Sequence, residues 1–188
     1  MARDSRNSDR SRQEILAGAR RVFSRLGYEK TTVSALEEEI GMSRGGIFHH
    51  YKGGKDRLFL DLVQQDARQM AERVLEHGLI QVIRDFVESP DNNAWLLTRL
   101  EVARMVASDP SFREQWDEAE SYFRDAVVAR LAETNNSGLP IATIQLYLEA
   151  FLDGIISRMA HGVSKEEIFP ILDLMEATVR GELKRTTE

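Results

Sequence analysis

Residues 31–58 read TTVSALEEEIGMSRGGIFHHYKGGKDRL, and the fold turns on how this stretch divides. Thr32 is a capping residue ahead of a run, Val33 to about Ile40, that suits a short helix. Gly41 supplies the left-handed residue that a sharp turn needs, and Met42 points back into the core. Ser43 then caps a second short helix reaching about His50. Two helices joined by a short Gly-containing turn form a helix-turn-helix, whose second helix enters the DNA major groove. The outward side of that helix offers Arg44, Gly45, Gly46, Phe48 and His49. A guanidinium reads guanine edges bidentately, glycines permit close backbone approach, and an exposed aromatic packs on sugar or a thymine methyl. Such helix pairs also occur as plain packing units, so the motif needs support from the rest of the chain.

Outward from this stretch, helical periodicity dominates. Ile15, Leu16, Ala19, Val22, Phe23 and Leu26 share one face, with a Ser11/Glu14 capping box predicted ahead of them and Gly27 ending the helix. The first dozen residues, with Arg3, Arg6, Arg10 and Arg12, read as a solvated basic arm able to reach an adjacent minor groove. Ser89–Asn93 and Asn135–Gly138 read as loops, Asp109-Pro110 as a helix start, and Ser164/Glu167 as another capping box. Pro170 predicts a kink or restart in the last helix. With no sustained strand alternation, the expected fold is all-α, with about nine helices.

Composition narrows the function. A chain of 188 residues, 42% hydrophobic and 30% charged, supports a folded core of one or two domains. The absence of cysteine excludes disulfides, zinc fingers and thiol nucleophiles. No secretory leader and no apolar run of ~20 residues are present, so a cytoplasmic protein with no membrane partner is expected. Residues 1–60 hold 12 Lys/Arg against 8 Asp/Glu, whereas the remaining 128 hold 13 against 23. A basic front suits approach to a polyanion, and an acidic body resists it.

The stretch resembles the N-terminal domain of TetR-family transcriptional regulators. Thr32-Val33, Gly41-Met42-Ser43, Gly45, Ile47-Phe48, Tyr51 and Lys55…Leu58 carry the resemblance, which spans about residues 10–60. It implies a three-helix DNA-binding head at 1–54 with a basic arm, followed by a six-helix effector-binding and dimerisation domain at 55–188. It further implies that Thr32 and the backbone at Ser43 touch phosphate while Arg44, Gly45 and His49 face bases. Phe48 and His50 stand where the family places a phosphate-touching tyrosine and a Tyr or His, and Lys55 would join a phosphate clamp. Three departures are visible. Glu37 and Ile40 replace small residues, so helix packing must adjust, and the Tyr51–Lys55 spacing is one residue longer than usual. The LEE at 36–38, IFHH at 47–50, RQEILAGARR at 12–21 and LDGIISR at 152–158 are similar to a narrower branch, the actinobacterial aconitase repressors.

In the body, Ile144, Leu148, Phe151 and Ile155 mark one face of a helix, and Tyr147, Leu152, Ile156 and Met159 widen it. That breadth suits either central burial or a partner subunit. A homodimer reading a palindromic operator on double-stranded DNA is expected, with this helix and the 164–185 helix at the interface. Arg130 continues the stripe Phe112, Trp116, Ala119, Phe123, Val127, and Glu182 continues Leu172, Met175, Val179. Both either reach solvent or pair with each other, or line an effector pocket. In the latter, Arg130 binds a carboxylate, Glu182 helps hold a divalent metal, and Leu79 offers a carbonyl after the Gly78 break. The aconitase-repressor likeness implies citrate with Mg²⁺ as effector, with no cofactor needed for DNA binding. His49 and His50 sit ~100° apart and cannot share a metal. His77 and His161 are isolated, and no catalytic motif is present, so an enzyme is not expected. The remaining alternative is a dimeric helical scaffold without sequence-specific DNA binding.

Overall fold

A computed structural model describes residues 2–180. Among the described residues it has nine helices and no strand. They are α1 (Ala2–Leu26), α2 (Val33–Ile40), α3 (Arg44–His50), α4 (Gly54–His77), α5 (Leu79–Glu88), α6 (Pro90–Ser108), α7 (Pro110–Thr134), α8 (Ile141–Ala160) and α9 (Lys165–Arg180). The all-α expectation holds.

Most boundaries follow local chemistry. Asp109 Oδ1 accepts the Ser111 and Phe112 amides at 2.9 and 3.2 Å, starting α7 at Pro110. Ser164 and Glu167 close the expected capping box ahead of α9. Three expectations need correction. Ser11 lies inside α1 and does not start it: the arm is free of Gly and Pro, and an Arg10–Glu14 pair at 2.9 Å spans the expected start. The Ser89–Asn93 loop shrinks to Ser89, because Pro90 opens α6 at the first position, where its missing N–H costs nothing. Pro170 does not restart the last helix: it sits inside a continuous α9, whose Ile168, Leu172 and Met175 are fully buried, and this packing offsets the ~3 kcal/mol proline penalty.

The chain divides into two compact units. The first holds residues up to Asp66 together with Ala94–Glu120, so the start of α4, most of α6 and the first turns of α7 pack with the helix-turn-helix. This packing division does not follow the expected boundary at 54/55. Its core joins Ile15, Val22 and Phe23 of α1 to Leu36, Ile47, Leu58, Phe59, Trp95 and Phe112. The Phe59 ring lies 5.2 Å from Phe23, 4.9 Å from Tyr28 and 5.3 Å from Trp95. Gly18 answers the large residue at Ile40: a Cβ there would come within 2.7 Å of Ile40 Cγ1, so any larger residue would force Ile40 to shift.

The second unit, Ala67–Asn93 with the chain from Ser121, has a core of aliphatic side chains and Met175. Val74, Val82 and Ile83 pack with Val127, Leu131, Ile144, Leu148, Ile155, Ile168 and Leu172. The stripe from Phe112 to Val127 is therefore shared out, its first half serving one core and its second half the other.

Candidate functional site

The helix-turn-helix is built from short-range hydrogen bonds. Thr32 Oγ1 accepts the Ala35 amide at 3.2 Å, and Ser43 Oγ accepts the Gly46 amide at 3.3 Å. Between them Gly41 takes φ 72° and ψ 22°, and its N–H donates to the Glu37 carbonyl at 2.9 Å. Ile47 is fully buried and anchors α3 to the first core.

With Ile47 inward, Arg44, Gly45 and His49 are exposed, as are Thr32 and Ser43. Two expected contact residues are turned differently. Phe48 is half-buried against the first core and is not an exposed aromatic. Gly46 faces the turn, where a Cβ would lie 3.3 Å from Met42 Cε. His50 is half-buried, its ring 5.6 Å from that of His49.

Lys55 is held within the unit. Its Nζ donates to the Tyr28 carbonyl at 3.0 Å and lies 4.4 Å from the Tyr28 ring centroid. The Tyr28 amide donates to Glu101 Oε2 at 2.8 Å, and its hydroxyl donates to Asp56. Burial, reinforced by the Asp56 carboxylate, drives the Tyr28 hydroxyl well above the ordinary tyrosine range. Tyr51 is also buried; its hydroxyl donates to the Arg12 carbonyl at 3.1 Å, and burial raises its pKa. Sequence alone does not show this clasp, because Tyr28 meets partners 27 to 73 residues away.

Glu37 is a second member that sequence reading leaves unassigned. Its Oε1 accepts the backbone N–H of Arg44 at 2.5 Å. The neighbouring Glu39 instead pairs with Arg21 at 2.6 Å and Arg25 at 3.2 Å, and the Arg21 hydrogen bond lowers its pKa. On the arm, α1 runs back to Ala2, while the side chains of Arg3 and Arg6 lie outside the described residues.

The second unit contains a cavity of about 580 Å³ lined by Leu79, Arg84, Val127, Arg130, Leu148 and Arg180 among others. It brings Leu79 and Arg130 to one space; Glu182 lies outside the described residues. Arg130 pairs with Glu133 at 3.2 Å and Arg180 with Glu176 at 2.6 Å, and all four line the cavity. Leu79 is the first residue of α5, so its carbonyl enters the helix ladder and the open groups there are amides. Among the described residues no cluster of three or more His, Cys, Asp or Glu could hold a metal ion.

Residues 15–62 match the family described as bacterial regulatory proteins, tetR family. The HTH-type transcriptional repressor AcnR of Corynebacterium efficiens is 48% identical over 175 residues, covering 90% of this chain and 93% of that protein. The chain belongs to the TetR family. AcnR of Corynebacterium glutamicum is 47% identical over the same length, again covering 90% of this chain and 93% of that protein. In fold, this TetR-family chain is similar to Salmonella enterica GusR, with a TM-score of 0.68, 18% identity and coverage of 93% and 96% of the two chains. The chain is a DNA-binding transcriptional repressor of the TetR family and not an enzyme. No helix among its described residues is long and apolar enough to cross a membrane.

Proposed function

We propose that this TetR-family repressor works in the cytoplasm as a homodimer on a palindromic operator, and that a small polycarboxylate bound in the second unit releases it. Citrate with Mg²⁺ is the proposed effector and an aconitase gene the proposed target, on the likeness to aconitase repressors. The observation that carries the DNA reading is α3 itself. Its buried Ile47 and Ser43 cap leave Arg44, Gly45 and His49 exposed, and Thr32 and Ser43 are exposed as well, which supports base contacts from the first three and phosphate contacts from the other two.

Dimerisation is supported by unpartnered apolar surface. On α8, Ile144, Leu148 and Ile155 are buried while Leu146 is 67% exposed; on α9, Leu172 and Met175 are buried while Leu174 is 55% exposed. A two-fold pair presents two reading helices ~34–36 Å apart, one turn of DNA.

The cavity chemistry suits an acid. Arg130 and Arg180 are each held by a carboxylate one helical turn away, which a ligand's own carboxylates can replace. The α5 amides at Leu79 add donors. Mg²⁺ binds through one or two carboxylates plus waters and ligand oxygens, and Glu133 and Glu176 line the same space, with Glu182 a further ligand in this proposal. To move an operator-competent population from 99:1 to 1:99, the ligand must prefer the released state by about 5.5 kcal/mol.

Operator titration of Arg44→Ala tests the reading. Preference for operator over unrelated duplex should fall by about 1–3 kcal/mol with little change in nonspecific affinity; unchanged preference refutes the base-reading assignment. Arg130→Ala should abolish release by citrate with Mg²⁺, and full release would refute the pocket assignment.

A further inference from the structure

The recognition helix is a poor helix on its own terms. It has only seven residues, two of them the adjacent Gly45 and Gly46. Each glycine costs roughly 1 kcal/mol relative to alanine, and isolated helices shorter than ~12 residues are marginal even for good formers. Such a segment holds its direction only through groups outside it. Ile47 supplies one anchor, and the Ser43 hydroxyl takes the Gly46 amide.

Glu37 supplies the other, and it grips the turn from both sides. Its carbonyl accepts the Gly41 amide at 2.9 Å, closing the end of α2, while its carboxylate accepts the Arg44 amide at 2.5 Å, fixing the start of α3. The carboxylate is partly exposed, and the nearby arginines Arg21 and Arg25 are taken by Glu39, so among the described residues no cation pairs with it.

We infer that Glu37 is a positioning residue for DNA recognition: its carboxylate sets the angle at which α3 presents Arg44, while its charge weakens binding to DNA of any sequence. The inference rests on the assignment of Arg44 as a base reader. Glu37 thus trades general affinity for discrimination. A helix start already held in place loses less ordering entropy on binding operator, whereas the negative charge beside the groove opposes phosphates on every duplex alike.

Two variants separate the two roles. Glu37→Gln keeps an acceptor oxygen and removes the charge; Glu37→Ala removes both. Affinities for an operator duplex and an unrelated duplex are measured across a salt series, with amide hydrogen exchange followed at residues 44–47. Glu37→Gln should tighten both duplexes by a common factor, about two- to fivefold at low salt, leaving their ratio within twofold of the parent. Glu37→Ala should tighten the unrelated duplex similarly, yet cut the ratio by about five- to tenfold and speed exchange of the Arg44 amide, the consequence of a lost helix cap. A parental ratio in Glu37→Ala, alongside a collapsed ratio in Arg44→Ala, overturns the inference. A parental ratio in Arg44→Ala overturns the base-reading assignment beneath it instead. Should Glu37→Ala fail to fold, Glu37→Gln decides alone, and failure to tighten the unrelated duplex overturns the inference.

Discussion

The first unit centres its core on aromatic rings and directed polar contacts, whereas the second is filled by aliphatic side chains beside a cavity lined with charge. Among the described residues, Thr31, Asp66 and Thr98 are the buried polar side chains, and all three lie in the first unit. Asp66 accepts from Arg20 and from Trp95 Nε1, the latter at 2.5 Å, tying α1, α4 and α6 together. Thr31 donates to the Gly27 carbonyl at 2.6 Å, and the Thr98 hydroxyl lies 2.9 Å from the Phe23 carbonyl. Such contacts are satisfied in one arrangement and costly in others, while aliphatic packing tolerates repacking at similar volume. The contrast suits the tasks proposed above: a head that holds a reading helix at one angle, and a body that admits a ligand.

Asp66→Ala strikes that contrast hardest. It leaves the buried Trp95 indole without an acceptor and the partly exposed Arg20 without its ion-pair partner, which should cost about 2–4 kcal/mol. Trp95 and Trp116 are the two tryptophans of the chain, and both lie in the first unit, so denaturant unfolding followed by tryptophan fluorescence reports that unit. A midpoint within error of the parent would mean the polar strut contributes nothing. Leu172→Ala is the counterpart in the second unit, where it empties a fully buried site for about 2–4 kcal/mol. Circular dichroism should then show a transition that precedes the fluorescence one; coincident transitions would show the two cores melting as one.

A smaller effect comes from pH. Tyr28 and Tyr51 have hydroxyl pKa values raised chiefly by burial, and both belong to the first unit. For a group whose folded pKa lies above its unfolded value, the stabilisation is complete below the unfolded pKa of about 10 and is lost as pH rises beyond it. The fluorescence midpoint should therefore stay flat up to about pH 10 and fall above it. In Tyr28→Phe the fall should be shallower, and an equally steep fall would remove Tyr28 from the account.

How much of this is legible in the sequence depends on distance along the chain. Thr32 with Ala35, Ser43 with Gly46, the left-handed Gly41 and the Asp109-Pro110 start act within three residues, and each reads directly. Local signals mislead where something competes with them. A capping pair at Ser11 loses to a polar arm without breakers, and Pro170 loses to buried Ile168, Leu172 and Met175. Periodicity also does not say which core a stripe serves, as α7 shows by dividing between two. The orientations of Phe48 and Gly46 depend on Met42 and the first core, and a spacing of ~100° per residue does not resolve them. The clasp at Tyr28 and the strut at Asp66 join residues 27 to 73 apart, which no local pattern encodes.

Lys55 brings the comparison down to a single charge. By family position it would be a phosphate contact, and by geometry it is half-buried within the first unit, with its ammonium on the Tyr28 carbonyl and over the Tyr28 ring. The extra residue between Tyr51 and Lys55 accompanies this change: Gly53 and Gly54 both take positive φ, at 120° and 74°, just before the lysine. Each lysine that neutralises a phosphate on duplex DNA adds about 0.9 to the slope of log affinity against log salt. If Lys55 serves the clasp, Lys55→Ala should leave that slope within about 0.3 of the parent while lowering the fluorescence midpoint modestly. Lys55→Arg should not restore the midpoint, because a planar guanidinium does not replace a compact ammonium under a carbonyl. A slope reduced by nearly one unit with an unchanged midpoint would return Lys55 to the DNA, and the first unit would then be less rigidly self-contained than its hydrogen bonds indicate.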